Sequence, residues 1–392
     1  MQLIVKGKAI QWLHILLLTL LVIELVVGGG GRITSYGALS LRMVFFVIAL
    51  SLSICSIIYY RKCERWVAYW SLAFFCLLCI GSVNAGINRS SIAFLIEDIK
   101  PLLFFFMLPY FAITIDDIRK VDYVISLIKA ASLAMAIVYL SLLSLLLLGF
   151  FNYTVFYNTL DATGEIFFRG QFFFFYKGFL YLCVGFFFFW ISEGIAAKFY
   201  SLIVFVAIVL TLTRGFLLMS ILTLLFYYLF IQRNKLVSLV FFLFISIIVA
   251  SALPYYITSL GNKSSSDEIR WITIDQVAER LNPFSLIIGH GFGQGVPIRP
   301  DHMEISYLEI FHKQGVVGLL FWVALFIYCS LTYFQIKRSS ALYMKYSPLY
   351  LVIIFVFIQS GTNPFLNNPI GLSAVLICLV CLKRVNSLSK SL

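Results

Sequence analysis

Apolar residues gather in twelve runs, and polar residues are largely confined to the segments between them. A membrane-spanning helix needs about 20 mainly apolar residues, because hydrocarbon offers backbone N–H and C=O groups no partner outside their own segment. The runs cover residues 9–27, 43–60, 66–84, 102–115, 124–150, 172–192, 199–213, 215–232, 237–253, 314–335, 347–361 and 369–382. The fourth, seventh and eighth are short. Almost nothing separates the seventh from the eighth, which predicts a tight helical hairpin. No internal repeat or low-complexity linker divides the chain. The pattern predicts an all-α integral membrane protein of about eleven or twelve transmembrane helices, forming one polytopic domain over residues 1–392.

Composition agrees. Apolar residues make up 62% and charged residues only 12%, against about 25% charged in a soluble domain. A soluble fold could not hide so much apolar surface, whereas lipid can. The net charge of +12 does not indicate nucleic acid, because most of it sits in short loops between apolar runs. Placing Lys6, Lys8, Arg61, Arg65, Lys120, Lys337 and Arg384 inside gives the cytoplasmic segments nearly three times the positive charge of the short outer loops. By the positive-inside rule both termini are then cytoplasmic. The one long polar loop, residues 254–313, falls on the periplasmic side. The apolar run ending near Val27 is long enough to span and carries no small-residue cleavage site, so it reads as a helix rather than a cleavable signal. The C-x-x-C pairs Cys76/Cys79 and Cys378/Cys381 lie inside apolar runs and read as small buried hydrophobes.

The outer loop carries the chemistry. Ser265 and Glu268 have capping-box spacing and predict a helix that Asn282-Pro283 stops. On it Arg270 shares a face with Ile274, Val277 and Leu281, so its guanidinium needs an anionic partner or a route to water. Next come Gly289, Gly291, Gly293 and Gly295, interleaved with His290, Phe292 and Gln294. With no strand–helix unit around them they read as a flexible turn or a backbone nest for an anion, not a dinucleotide fingerprint. Pro297 and Pro300 bias the following stretch towards an extended path. Asp301, with Glu304 three residues on, resembles a cap and predicts a helix running into the tenth span. On that helix His302, Ser306, Glu309 and Lys313 share one side, and Glu304, Tyr307, Leu308 and Phe311 lie on the other.

Arg214 stands at the outer tip of the hairpin between apolar flanks, and a charge so placed suggests a site. Lys177 lies within the sixth span near its outer end; Lys129 and Glu24 read as snorkelling inward and outward. The outer face thus offers Arg214, Arg270, Arg280, Arg299 and Lys177, with His290, His302 and Glu304 nearby. Cations that hold phosphate, beside a His or carboxylate able to take a hydroxyl proton, suit a transfer reaction. No Ser–His–Asp set is recognisable and no His/Asp/Glu cluster has metal-ligand spacing, so neither metal nor cofactor is expected.

Four segments resemble the O-antigen polymerase and O-antigen ligase superfamily of bacterial envelope glycan enzymes. They are Ile208 to Leu217, Ile269 to Leu281, Ile287 to Gly295, and Tyr307 to Trp322, all within residues 200–335. The resemblance implies glycan transfer at the periplasmic face of the inner membrane, from a donor carried on undecaprenyl pyrophosphate. It implies that Arg214 and Arg270 hold the pyrophosphate and that a loop histidine activates the acceptor hydroxyl. Where the family usually has that histidine, this chain has Glu304, and His302 stands two residues earlier. Either residue could be the base. A polymerase is the first expectation, a ligase acting on the lipid A core the second. A transporter or flippase is the third, disfavoured because the unusual charges gather at one face. A flippase and a chain-length regulator are the partners that the resemblance implies, besides the bilayer and the lipid-linked oligosaccharide.

Overall fold

The computed structural model describes residues 2–31, 35–36, 39–61, 63–150, 152–161, 164–169, 172–243 and 264–391. In chain order its helices are α1 (Gln2–Val27), α2 (Leu41–Tyr60), α3 (Arg65–Ile87), α4 (Ile92–Leu102), α5 (Leu108–Thr114), α6 (Ile118–Leu147), α7 (Tyr153–Asp161), α8 (Leu180–Ile191), α9 (Ile195–Leu210) and α10 (Arg214–Phe226). Then follow α11 (residues 235–243), α12 (Ser264–Glu279), α13 (Pro283–Ile288), α14 (Ser306–Phe334), α15 (Ala341–Lys345), α16 (Ser347–Gln359) and α17 (Pro369–Ser391). Two small antiparallel hairpins join them: β1 (Ser35–Tyr36) with β2 (Leu39–Ser40), and β3 (Ile166–Arg169) with β4 (Phe173–Tyr176).

Among the described residues seven helices are long and apolar enough to cross a membrane. Three shorter apolar helices, Gln11–Val27, Lys177–Ile191 and Ile195–Leu210, accompany them. The fourth apolar run is broken. α4 carries Pro101, a 3-10 turn covers Leu103–Met107, and α5 takes Pro109 into its first turn. Proline removes a backbone donor and is tolerated where a helix begins. The sixth run begins as β4 rather than as helix. Its string of phenylalanines suits a strand and pairs with β3 in the register Ile166 to Tyr176. Lys177 therefore sits at a strand–helix joint and not inside a spanning helix. Of the ninth run, residues 244–253 lie outside the described residues, as do 254–263 of the outer loop.

α16 and α17 form the post of the bundle. Over the most apolar 18 residues of the spans that contain them 72% and 83% are buried, against 22–39% in the other five long spans. The peripheral helices turn residues such as Leu16, Ile58, Leu72, Leu202 and Leu320 outward, as a lipid-facing surface requires.

Contacts at the helix ends sort the loops into two groups. At one end Arg384 pairs with Glu64, Lys345 with Asp122, Lys129 with Ser192 and Arg233 with the Ser340 carbonyl. These are the segments the charge pattern assigns to one side. At the other end Glu24 binds Arg42 through two hydrogen bonds, both side chains at most 5% exposed. Glu24 thus reaches the expected end but stays buried, neutralised by a partner rather than by water.

Candidate active site

Two ion clusters occupy the outer-loop end. The first forms where α12 packs on the chain before α14. Thr273 and Val277 face inward from α12, and Val277 joins Val296 and Met303 in a small apolar core. This sets Arg270 opposite Glu304. Arg270 Nε donates to Glu304 Oε2 at 2.9 Å, and Arg299 Nη2 donates to Glu304 Oε1 at 2.7 Å. Arg270 also reaches Asp267 at 3.1 Å. All three members of the Arg270–Glu304–Arg299 bridge are about a third exposed. The anionic partners that Arg270 requires are therefore Glu304 and Asp267. α12 begins at Ser264, which puts Ser265 inside its first turn; the Ser265 side chain, and with it the capping box, lies outside the described residues.

The helix expected from Asp301 starts later. α14 opens at Ser306 with Ile305 as its N-cap, and residues 301–304 are irregular. Glu304 is committed to two arginines, and the Asp301 carbonyl accepts from Lys313 Nζ at 3.0 Å, so neither residue caps the helix. The two sides assigned from spacing nonetheless separate: His302 meets Asp98 and Glu309, whereas Glu304 meets Arg270 and Arg299.

The second cluster surrounds Lys313. Its ammonium donates to Asp98 Oδ1 at 2.7 Å and to Glu309 Oε1 at 2.6 Å, and the three side chains are 4–6% exposed. Asn367, from the α16–α17 turn, donates to Glu309 Oε2 at 2.9 Å. His302 covers the cluster from the solvent side, with Nδ1 3.4 Å from Asp98 and 3.5 Å from Glu309. Hydrogen bonds to Asp98 and then Glu309 raise its imidazole to about 9, against the opposing effect of burial. At neutral pH it is an imidazolium, already carrying the proton that a base would have to accept. Asp98, His302 and Glu309 approach closely enough to share a cation. Sequence spacing gave no such group; the fold assembles it. Lys313 supplies the positive charge between the two carboxylates, so the group does not fit a resident metal.

The glycine run braces this arrangement and is not a flexible turn. Gly289, Gly291, Gly293 and Gly315 all have φ between 64° and 89°. A Cβ at Gly289 would lie 2.3 Å from the Lys313–Gln314 backbone, and one at Gly315 2.3 Å from the Ile287 carbonyl. His290 N and Gly291 N bond to the His312 and Lys313 carbonyls, and Gly293 N donates to Asp98 Oδ2 at 2.6 Å. One backbone N–H of the run, that of Gly293, meets an anion, the protein's own Asp98; those of His290, Gly291 and Phe292 go to carbonyls. Asn84 of α3 and Asn88, the C-cap of that helix, donate to the Gly289 and His290 carbonyls.

The remaining candidates divide. His290 stacks on His312 and sets both ring nitrogens against carbonyl oxygens, while Arg280 bonds to the Gly295 carbonyl. Both belong to the packing of the glycine turn. Arg214 opens α10 just after Leu212 at φ 50°, half-buried at the hairpin tip. The next residue, Gly215, meets the turn after α16, where a Cβ would lie 3.0 Å from Gln359 Nε2. That same turn receives Ser306, whose N–H bonds to the Ser360 carbonyl and whose hydroxyl bonds to the Asn363 carbonyl. One short turn thus packs against the start of α10 and the start of α14. Lys177 stands apart, over the Phe167 ring. Reading the sequence alone misses Asp98 and Asn367. The only hint of Asp98 is a carboxylate in the amphipathic stretch after the third span.

Residues 199–323 match a family model described as O-antigen ligase. The chain is also similar to an O-antigen polymerase of Shigella flexneri, with 30% identity over 367 residues, which cover 91% of each protein. The matched segment includes Arg214, Arg270, Arg299, His302, Glu304 and Lys313, and excludes Asp98 and Asn367.

Proposed function

This chain belongs to the O-antigen polymerase and ligase superfamily, and on that premise we propose that it is an O-antigen polymerase of a bacterial inner membrane. It transfers a growing glycan from undecaprenyl pyrophosphate onto a lipid-linked repeat unit at the periplasmic face, with both termini cytoplasmic. A flippase supplies the repeat unit and a chain-length regulator works beside it.

The reading rests on one observation: a partly exposed carboxylate, Glu304, bridges two arginines that a phosphate would equally satisfy. Arg270 and Arg299 present N–H groups suited to a bidentate anion. When donor pyrophosphate takes the arginines, Glu304 is released as a free carboxylate. It then accepts the proton of the acceptor hydroxyl as that oxygen bonds to the anomeric carbon. The bond from that carbon to the pyrophosphate oxygen breaks, and undecaprenyl pyrophosphate leaves. Arg214, Arg270 and Arg299 stabilise its developing charge. These groups supply the electrostatic stabilisation directly, so the reaction needs no metal.

Deleting the gene tests the polymerase reading. One repeat unit per core is expected; a core with none identifies a ligase instead. Glu304→Gln tests the base. Turnover with a purified lipid-linked repeat unit should fall by about 10²-fold or more, while donor KM falls because the arginines are freed. If Glu304→Gln keeps wild-type turnover and His302→Gln abolishes it, the base is His302.

A further inference from the structure

The end of the bundle opposite the candidate active site contains a cavity of about 590 Å³. Two helices fix the relation between the two places. α3 lines the cavity with Val67 of its first turn and reaches the glycine turn with Asn84; its 23 residues span about 34 Å. α17 likewise runs from the turn carrying Asn367 to Arg384 in the cavity wall.

The cavity is amphipathic. Val67, Pro109 and Ile113 give it an apolar side. At its base His14, 5% exposed, bonds to the hydroxyls of Thr114 and Ser56, each at 3.2 Å, so its polar groups satisfy one another. The charged groups stand where helices end. Lys120 pairs with Asp116 at 2.6 Å, and Arg384 pairs with Glu64 while donating to the Ile115 carbonyl. Arg61 is exposed, sits at φ 49° where glycine is usual after a helix, and makes no ion pair among the described residues. Three cations against two carboxylates leave one positive charge unbalanced. Lys383 over the Trp66 ring marks the same level as an interface of lipid and water.

We propose that this cavity binds the phosphodiester headgroup of a membrane lipid, with Arg61 as its principal contact and the apolar wall against the glycerol and first methylenes. A phosphodiester carries the single negative charge that neutralises the lining. The volume lies within the usual range of ligand sites. Free phosphate would leave Val67, Pro109 and Ile113 uncovered.

The test uses the full chain purified in detergent, titrated with dioctanoyl phosphatidylglycerol, dioctanoylglycerol or inorganic phosphate and read by thermal shift and calorimetry. Saturable binding of the phospholipid alone is expected. Arg61→Gln should weaken it about tenfold, equivalent to about 1.4 kcal/mol, whereas Arg61→Lys should retain most of the affinity. Ile113→Trp fills the cavity without altering charge and should remove binding. Equal binding of dioctanoylglycerol overturns the phosphate contact. Equal binding of inorganic phosphate overturns the lipid. Undiminished phospholipid affinity in both Arg61→Gln and Ile113→Trp places the lipid elsewhere. Elution as a single monodisperse peak certifies each variant, and should Ile113→Trp not fold, the contrast between glutamine and lysine at position 61 decides.

Discussion

Glu304 and Glu309 lie five residues apart and each faces two cationic side chains, yet water treats them differently. Glu304 is 35% exposed between Arg270 and Arg299; Glu309 is 6% exposed between Lys313 and His302. An ion pair in partial contact with water contributes about 1 kcal/mol or less, because each partner is almost as well solvated alone. A buried charge stripped of its partner has no such alternative. The bridge at Glu304 can therefore exchange a carboxylate for a phosphate at small cost, while the cluster at Lys313 is fixed. Function is expected from the first and architecture from the second.

The largest effect should come from Lys313→Met, which leaves Asp98 and Glu309 facing each other in the interior. A loss of about 3–5 kcal/mol is expected, read as a collapse of the thermal transition in detergent; an unchanged transition would mean that the cluster is not structural. Arg270→Ala should do the reverse. Polymerisation falls by about 10²–10³-fold, as for loss of one donor to a developing anion, while the melting temperature stays near wild type. A variant that loses stability and activity together would erase the distinction between the clusters. Gly289→Ala is intermediate. Its Cβ meets backbone at 2.3 Å and φ is 76°, so a cost of about 1–3 kcal/mol is expected, with Lys313 displaced from Asp98. Unaltered melting would show that the turn yields easily.

The smallest effect is that of pH on His302. Its imidazole is raised to about 9 in the folded chain from an ordinary 6.5. A raised histidine stabilises fully below 6.5, and that contribution fades as pH climbs through 9. The ring is 53% exposed, so solvent screening limits the effect to about 1 kcal/mol or less. Comparing the melting of wild type with His302→Gln between pH 6 and 9.5 isolates it. Parallel curves would show that the carboxylates do not hold the imidazolium.

The helical bundle was readable from apolar run length, and the α9–α10 hairpin from two runs that abut. Two runs misled for a definable reason. Residues 102–115 follow Pro101 and contain Pro109, at points where a helix can restart, and residues 173–176 find a partner strand in β3. Hydropathy records neither. Arg270 was legible as an arginine in need of an anion, but not which anion. Glu304 was legible as ionisable, yet its cap-like spacing from Asp301 concealed a bridge to α12.

The sequence by itself determined an α-helical membrane protein and the loops grouped at each end, because transfer of a segment into lipid depends on that segment's own composition. Tertiary structure alone decided which charges meet. Asp98 stands more than two hundred residues from Lys313 and His302, and an ion pair depends on distance in space and on access of water, neither of which is a property of local sequence.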